Sequence, residues 1–379
     1  SLMYLLYAPR EKFGLIPPAQ SLFTEEVKFY QNVAFCPKFY WKKIHTENGC
    51  QDISPHSFVR MRNKRVLKTV AIFATGGIGD SMWAMPFARA LKEKYPSCAI
   101  IVITDKKCAA VWKGVPYVVG VIQNAFWNVA GVVRKSDDVF DFGGVATVLK
   151  QQMKLDPVEA TFQMTGFPLP KEKSKCRPKL IVTIDEGKAA ERFLESKGVK
   201  VKEDKIVCIG LDASTSNRHW PFEYVKMLTE QLIHENYKVV WLGKDIEHSE
   251  RFTDKETKKI SALNLCDETS LRQAMAILAL SDLYIGPNSG LMAIATALMT
   301  PTVGLFGAFN PSSRAKFYER FIGIWGKADC APCNQHWTEC SHGHPAPCMK
   351  MIDPKAVYTK AKELLKKYPR HILEKLPIE

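Results

Sequence analysis

Residues 66–96 read as strand, glycine turn and helix, and this unit restricts the possible folds more than any other part of the chain. VLKTVAIFA (66–74) is a β-branched apolar run of strand length. TGGIGD (75–80) is a turn, and SMWAMPFARALKEKYP (81–96) has amphipathic helical spacing that stops at Pro96. A strand without polar alternation needs cover on both faces, which a parallel sheet flanked by helices provides. The alternation continues. CAIIVIT (98–104), VVGVIQ (118–123) and DDVFDF (137–142) read as strands. The Pro- and Lys-rich stretch PLPKEKSKCRPKL (168–180) reads as a boundary. A second series follows it, with strands in 204–212, 237–243, 282–287 and 300–307 and helices in 222–236, 270–281 and 289–299. The pattern predicts an α/β protein of two Rossmann-like, doubly wound domains facing a central cleft. The expected domains are 66–175 and 176–352. An N-terminal extension, 1–65, precedes them, and the amphipathic helix of 353–379 follows. The extension is aromatic and basic, without a clean period.

Composition narrows the class. The 46% hydrophobic share is enough for two ordinary cores. No apolar run reaches the roughly 18 residues of a membrane span, and no basic region precedes the short apolar patch near Leu5. The reading is a cytoplasmic protein without a signal peptide. The formal net charge of +14 favours anionic partners. There are eleven cysteines, seven of them scattered singly, and an odd total without a secretion signal argues against a secreted disulfide scaffold. Cys98 and Cys208 lie in or beside strand runs and read as core thiols.

Three turns carry candidate chemistry, because open α/β sheets bind ligands beyond the carboxyl ends of their strands. In GGIGD, Gly77 and Gly79 let the backbone approach a ligand, and the helix that follows offers free N–H groups. Asp80 has two readings, an N-cap or a functional carboxylate. The spacing lacks the third glycine of the dinucleotide fingerprint, which excludes an NAD site. In LDASTSNRHWP (211–221), Ser214, Thr215 and Ser216 supply hydroxyls and Arg218 a fixed cation, chemistry suited to a diphosphate. An ordinary helix-entry loop is the plainer reading. In IGPNSGLMAIATAL (285–298), Asn288, Ser289 and Gly290 open a helix whose N–H groups suit phosphate oxygens, or simply cap it.

Together these segments resemble glycosyltransferase family 9, the heptosyltransferases. GGIGDSMWAMPFARALKEKYP is similar to the family's N-terminal signature, SNRHWP to its K-x-WP loop, and DLYIGPNSGLMAIATALMTPTVGLFG to its D-T-G block. The resemblance spans residues 66–368. It implies the GT-B fold, with the terminal helix returning toward the first domain, and an inverting transfer from a nucleotide-sugar donor, ADP-heptose in the type case. It implies Asp80 as general base, and Arg218, Ser214 and Thr215 with the Ser289–Gly290 turn around the diphosphate. No metal is needed for that catalysis. Glu247 matches the acid that meets the nucleotide ribose, with Glu250 the second choice. The implied acceptor is an anionic, lipid-linked lipopolysaccharide core or another glycan or protein. Peripheral contact with the cytosolic face of the inner membrane would follow. Two positions depart from the family: its D-T-G reads Asn288-Ser289-Gly290, and its His reads Ala293. Both bear on the donor sugar, so another nucleotide sugar is the alternative.

Cys330, Cys333, Cys340 and Cys348 place four thiols within nineteen residues, a spacing suited to structural zinc or iron. Related autotransporter heptosyltransferases carry a four-cysteine iron site of this type. His336, His342 and His344 are further candidates, and reduced thiols in an ordered loop are the plain alternative. Two other functions fit the sequence less well. A nucleotide-sugar epimerase on the same fold would need more acid–base groups. A nucleic-acid-binding zinc knuckle would need basic residues among its cysteines, and none lies between Cys330 and Cys348.

Overall fold

The computed structural model describes residues 68–369 apart from 125, 144, 146–148, 150–153, 245–260 and 335–338. The N-terminal extension 1–65 therefore lies outside the described residues. The chain divides into two units. Residues 1–148 and 158–176 form the first, and residues 149–157 and 177–379 the second. The chain thus passes into the second unit briefly, returns, and leaves the first for good after Cys176, inside the Pro- and Lys-rich stretch.

The first unit holds a parallel sheet in the order β3-β2-β1-β4. Its strands are β1 (Lys68–Phe73), β2 (Cys98–Thr104), β3 (Gly120–Gln123) and β4 (Asp138–Asp141). Val70 lies opposite Ile100 on one side and Asp138 on the other. Every residue of β2 is buried, as a strand covered on both faces requires. The winding reverses between β1 and β4, so the turn after β1 sits at the switch point of this sheet. The single helix expected over 81–96 is two, α1 (Ile78–Met82) and α2 (Met85–Lys94). The break precedes Pro86, which has no N–H to continue a helix and suits the first turn of a new one. A short α3 (Ala109–Trp112) and the longer α4 (Phe126–Lys135) follow. Val129, Val132 and Val133 of α4 pack on Ala71, Phe73, Ile101 and Ile103. On the other face, Phe87 of α2 meets Phe140, Phe142, Phe162 and Phe167 edge to face, at 4.8, 5.2, 5.9 and 5.2 Å. Phe162 comes from α5 (Pro157–Thr165), the helix on which the chain returns.

The second unit has six parallel strands in the order β10-β9-β8-β5-β6-β7. They are β5 (Lys205–Gly210), β6 (Tyr237–Leu242), β7 (Leu263–Asn264), β8 (Leu283–Pro287), β9 (Thr302–Phe306) and β10 (Phe321–Trp325). Winding runs outward one way through β6 and β7 and the other way through β9 and β10, placing the switch point between β5 and β8. The helices are α6 (Ile184–Ser196), α7 (Phe222–His234), α8 (Leu271–Leu280), α9 (Gly290–Ala297), α10 (Pro347–Lys350) and α11 (Pro354–Lys367). Thr183 and Glu186 form a reciprocal capping box that starts α6. Over its described length the terminal helix buries Val357, Ala361 and Leu364 in the core of the second unit.

Candidate functional site

The turn after β1 is built around Asp80. Gly76 has φ +111°, a conformation that favours glycine. A β-carbon at Gly76 or at Gly77 would come within 3.0 Å of Asp80 Oδ2. The Gly77 N–H donates to that oxygen at 2.8 Å, so the carboxylate caps the first turn of α1. Asp105, directly after β2, accepts the Gly76 N–H at 2.9 Å. Below the turn, Thr104 Oγ1 donates to the Ala74 carbonyl at 2.5 Å, and Trp112 Nε1 donates to Ser81 Oγ at 2.9 Å. Cys108 Sγ donates to the Gly76 carbonyl at 3.6 Å, and burial pushes its thiol up to about 12. The nearby thiol is therefore held neutral, and Asp80 stands half-buried on a braced turn. Gly79 lies within α1, and its carbonyl accepts the Trp83 N–H. The two readings of Asp80 coexist: it caps the helix, and it is presented at the sheet's switch point.

In the second unit the two polar loops flank the switch point, because β5 and β8 are neighbours. Arg218 joins them. Its Nε donates to Thr215 Oγ1 at 3.1 Å and its Nη2 to Ser214 Oγ, while Nη1 crosses to the Asn288 carbonyl at 2.8 Å. Thr215 in turn donates to the buried Asn217 side chain at 2.6 Å. Ser214, Thr215, Arg218 and Asn288, selected separately in the sequence, thus meet around one guanidinium. Ser289 is the N-cap of α9 with extended backbone, and its hydroxyl is buried without a hydrogen-bond partner of good geometry. Gly290 opens the helix, so its first N–H groups face the same end of the sheet. A cation, several hydroxyls and a helix N-terminus form an anion-binding arrangement.

Beneath it lies a group that the sequence did not disclose. Asp212, just past β5, is half-buried against the turn after β6. A β-carbon on Gly243, which has φ +156°, would meet Asp212 Oδ1 at 2.5 Å. Burial raises the Asp212 carboxyl to about 6; the Lys244 N–H it accepts opposes this, and nearby Asp267 adds to it. Tyr284 is wholly buried, with its hydroxyl lodged beside Gly210 and Gly286, where any β-carbon would overlap it. Burial raises the phenol further, and the facing Ser289 hydroxyl lowers it. The available signals were an acid directly after a strand and glycines in two neighbouring strands.

The remaining candidates divide. Glu247 and Glu250 lie outside the described residues, as does His336. The four cysteines are free thiols, with Cys348 buried, Cys330 and Cys340 half-buried and Cys333 exposed. Burial, with Cys330, Cys333 and Cys340 nearby, pushes the Cys348 thiol up to about 11. The donor chemistry suits zinc or iron, yet among the described residues no three Cys, His, Asp or Glu side chains gather closely enough to hold a metal ion. A cavity of about 670 Å³, lined by Lys197, Asn236, Tyr237 and Asn264 among others, opens near the amino ends of β5 and β6, away from the Arg218 loops. No helix among the described residues is long and apolar enough to cross a membrane.

Comparison with known proteins places these features in a lineage. The profile of glycosyltransferase family 9 (heptosyltransferase) matches residues 145–343. That span includes the Arg218 and Asn288 loops and three of the four cysteines, and stops short of Asp80. The lipopolysaccharide heptosyltransferase 2 of Salmonella typhimurium is 35% identical over 113 residues, covering 27% of this chain and 31% of that protein. Across the curated relatives, the chain spans between 31% and 47% of their length. Among solved structures, a family 9 glycosyltransferase from Veillonella parvula superposes with a TM-score of 0.62 at 14% identity, covering 79% of this chain and 97% of that one. The iron-containing dodecameric glycosyltransferase TibC of enterotoxigenic E. coli gives 0.57 at 15% identity, covering 79% and 77%. At such identities the structures establish the shared two-domain fold and nothing finer.

Proposed function

This chain belongs to glycosyltransferase family 9, the heptosyltransferases, and from that premise we propose that it is an inverting glycosyltransferase moving a sugar from a nucleotide diphosphate onto a glycan or protein acceptor. The observation that carries the reading is the Arg218 guanidinium, held by Ser214 and Thr215 on one loop and by the Asn288 carbonyl on the other. A cation fixed in this way pays no reorganisation cost when a diphosphate leaves. The Ser289 hydroxyl and the first N–H groups of α9 add donors for the same oxygens.

In the proposed reaction an acceptor hydroxyl oxygen attacks the anomeric carbon. The bond from that carbon to the diphosphate oxygen breaks, and the leaving group takes the electron pair. The hydroxyl proton passes to the Asp80 carboxylate as the new bond forms. The cap from Gly77 fixes the orientation of that carboxylate. Reaction on the face opposite the leaving group inverts the centre. Every step uses side chains and backbone groups of the chain, and none is routed through a metal.

The names of the relatives favour heptose from ADP-heptose as donor and a lipopolysaccharide core as acceptor. The charge of +14 suits such an anionic partner, and peripheral contact with the cytosolic face of a membrane belongs to the same reading. Asn288 and Ala293, which stand where the family has Asp and His, favour a second reading with a different sugar on the same diphosphate. We read the four cysteines, on their soft donor chemistry alone, as ligands of a structural zinc or iron; metal analysis of the purified protein checks this. For the transferase, the test is thermal stabilisation by ADP, UDP, GDP and CDP, then ADP-heptose, with Arg218→Ala as control. Stabilisation by ADP, greater with ADP-heptose and lost in the variant, is expected. Preference for another nucleotide would replace the donor, and no response to any would overturn the site.

A further inference from the structure

The Arg218 loop has a back as well as a front. On its front the guanidinium reaches Asn288; on its back the next two residues face the cysteine-bearing segment. His219 Nε2 is 2.9 Å from the Ala213 carbonyl, closing the loop on itself. The His219 ring then meets His344 edge to face, with centroids 5.9 Å apart. Trp220, only 5% exposed, donates its indole N–H to the Ile352 carbonyl at 3.0 Å. Ala346, Cys348, Met349 and Ile352 share its buried cluster. Cys348 itself is locked in place: a β-carbon on Gly326 would overlap the Cys348 carbonyl, and one on Gly307 would come within 2.8 Å of Met349 Sδ.

We propose that His344 is a positioning residue for Arg218, and that the cysteine-bearing segment 339–352 acts on the diphosphate site by bracing the loop 213–220 from behind. The chain of contact is short and continuous. His344 packs on His219, whose backbone joins Arg218, and Trp220 is tied to Ile352. A guanidinium that spans two loops is only as well placed as its backbone. Apart from the 3₁₀ turn at Ser216–Arg218, the loop has no regular structure of its own, and contacts from outside add to its internal hydrogen bonds. Trp220 supplies the buried part of that brace and His344 the part nearest Arg218. A change at His344 or around Ile352 therefore reaches Arg218 without touching the ligand. The diphosphate consequence rests on the function proposed above, whereas the bracing does not.

Hydrogen exchange on the ligand-free protein tests the brace directly. The Arg218 and His219 amides donate within the loop, to Thr215 and Ser216 at 3.2 and 3.0 Å, so their exchange reports loop opening. His344→Ala is expected to speed exchange across 213–220 while leaving β5, β6 and β8 protected as in the wild type. His344→Phe, which keeps an aromatic edge against His219, is expected to restore it. Edge-to-face pairs support a change of about two- to tenfold. The same factor should appear as weaker affinity for whichever of ADP, UDP, GDP or CDP the wild type prefers, with no further loss when His344→Ala is added to Arg218→Ala. Unchanged exchange at 213–220 in His344→Ala would overturn the proposal, as would faster exchange spread evenly over the second unit. If the wild type binds none of the four nucleotides, the diphosphate reading fails, and the exchange pattern alone still decides whether His344 braces the loop.

Discussion

Asp212→Asn isolates the cost of the half-buried carboxylate beneath the Arg218 loop. Burial raises its carboxyl from 3.8 to about 6 in the folded chain. A shift of that size corresponds to about 3 kcal/mol between the two protonation states. The sign follows from proton counting. Between 3.8 and about 6 the folded state holds more protons on this group than the unfolded state. Stability from Asp212 therefore falls as pH rises through that window and is level above it. Asparagine keeps a carbonyl oxygen for the Lys244 N–H and removes the charge. Its stability relative to the wild type should thus rise by about 2 kcal/mol on going from pH 4.5 to pH 8. Urea unfolding of both proteins at the two pH values measures this, and all other titrating groups cancel in the difference. A difference between the proteins that does not change with pH would refute the claim that the carboxylate is buried against its own ionisation. So would a change of the opposite sign.

Two further predictions follow from the same geometry. Asp80→Asn retains an acceptor for the Gly77 N–H, so its unfolding free energy should stay within about 1 kcal/mol of the wild type, while under the proposed base role turnover falls by about 10²- to 10⁴-fold, an amide being unable to take the acceptor's proton; comparable losses of both would return Asp80 to a purely capping role. Gly210→Ala drives a β-carbon into the Tyr284 hydroxyl and should destabilise the second unit by about 1–3 kcal/mol, with Tyr284→Phe recovering part of that loss in the double variant. Denaturant unfolding of the four proteins in that cycle gives the coupling, and simple additivity would show that the hydroxyl is not the obstacle.

The elements legible in the sequence are those whose signal is local. β1, β2, β5, β6, β8 and β9 lie within apolar runs of strand length, and a buried parallel strand has no other way to look. The turn at Gly76–Asp80 and the loop at Ser214–Arg218 were legible because glycines and hydroxyls cluster between a strand and a helix. What remained hidden was set by strand neighbourhood. Asp212 is partly covered because Gly243, just past β6, lies beside it, and Tyr284 fits because β5 and β8 pair, bringing Gly210 alongside. Neither follows from spacing along the chain. The break between α1 and α2 was readable from Pro86, but the amphipathic period ran through it and prevailed. The helix α6, with only Ala190 and Leu194 as its buried hydrophobic residues, carried too little apolar period to be read.

The hidden groups also explain why the second unit tolerates local cost where it does. Asp212 is ionised at neutral pH against its burial, the Ser289 and Tyr284 hydroxyls are buried without well-formed partners, and all three lie within or beside the loops that Arg218 joins. Two other buried polar groups of the same unit are satisfied: Asp282 accepts the Ile206 N–H at 2.7 Å, and Ser281 donates to the Ile277 carbonyl at 2.7 Å. Those two stand at the amino end of β8, away from the loops. Along β8 the satisfied groups thus lie at the amino end and the Tyr284 and Ser289 hydroxyls at the switch point, where a ligand's oxygens can meet them. If that asymmetry serves binding, a nucleotide that stabilises the wild type should stabilise Tyr284→Phe less, although the unliganded variant loses only a hydroxyl that lacks a good partner.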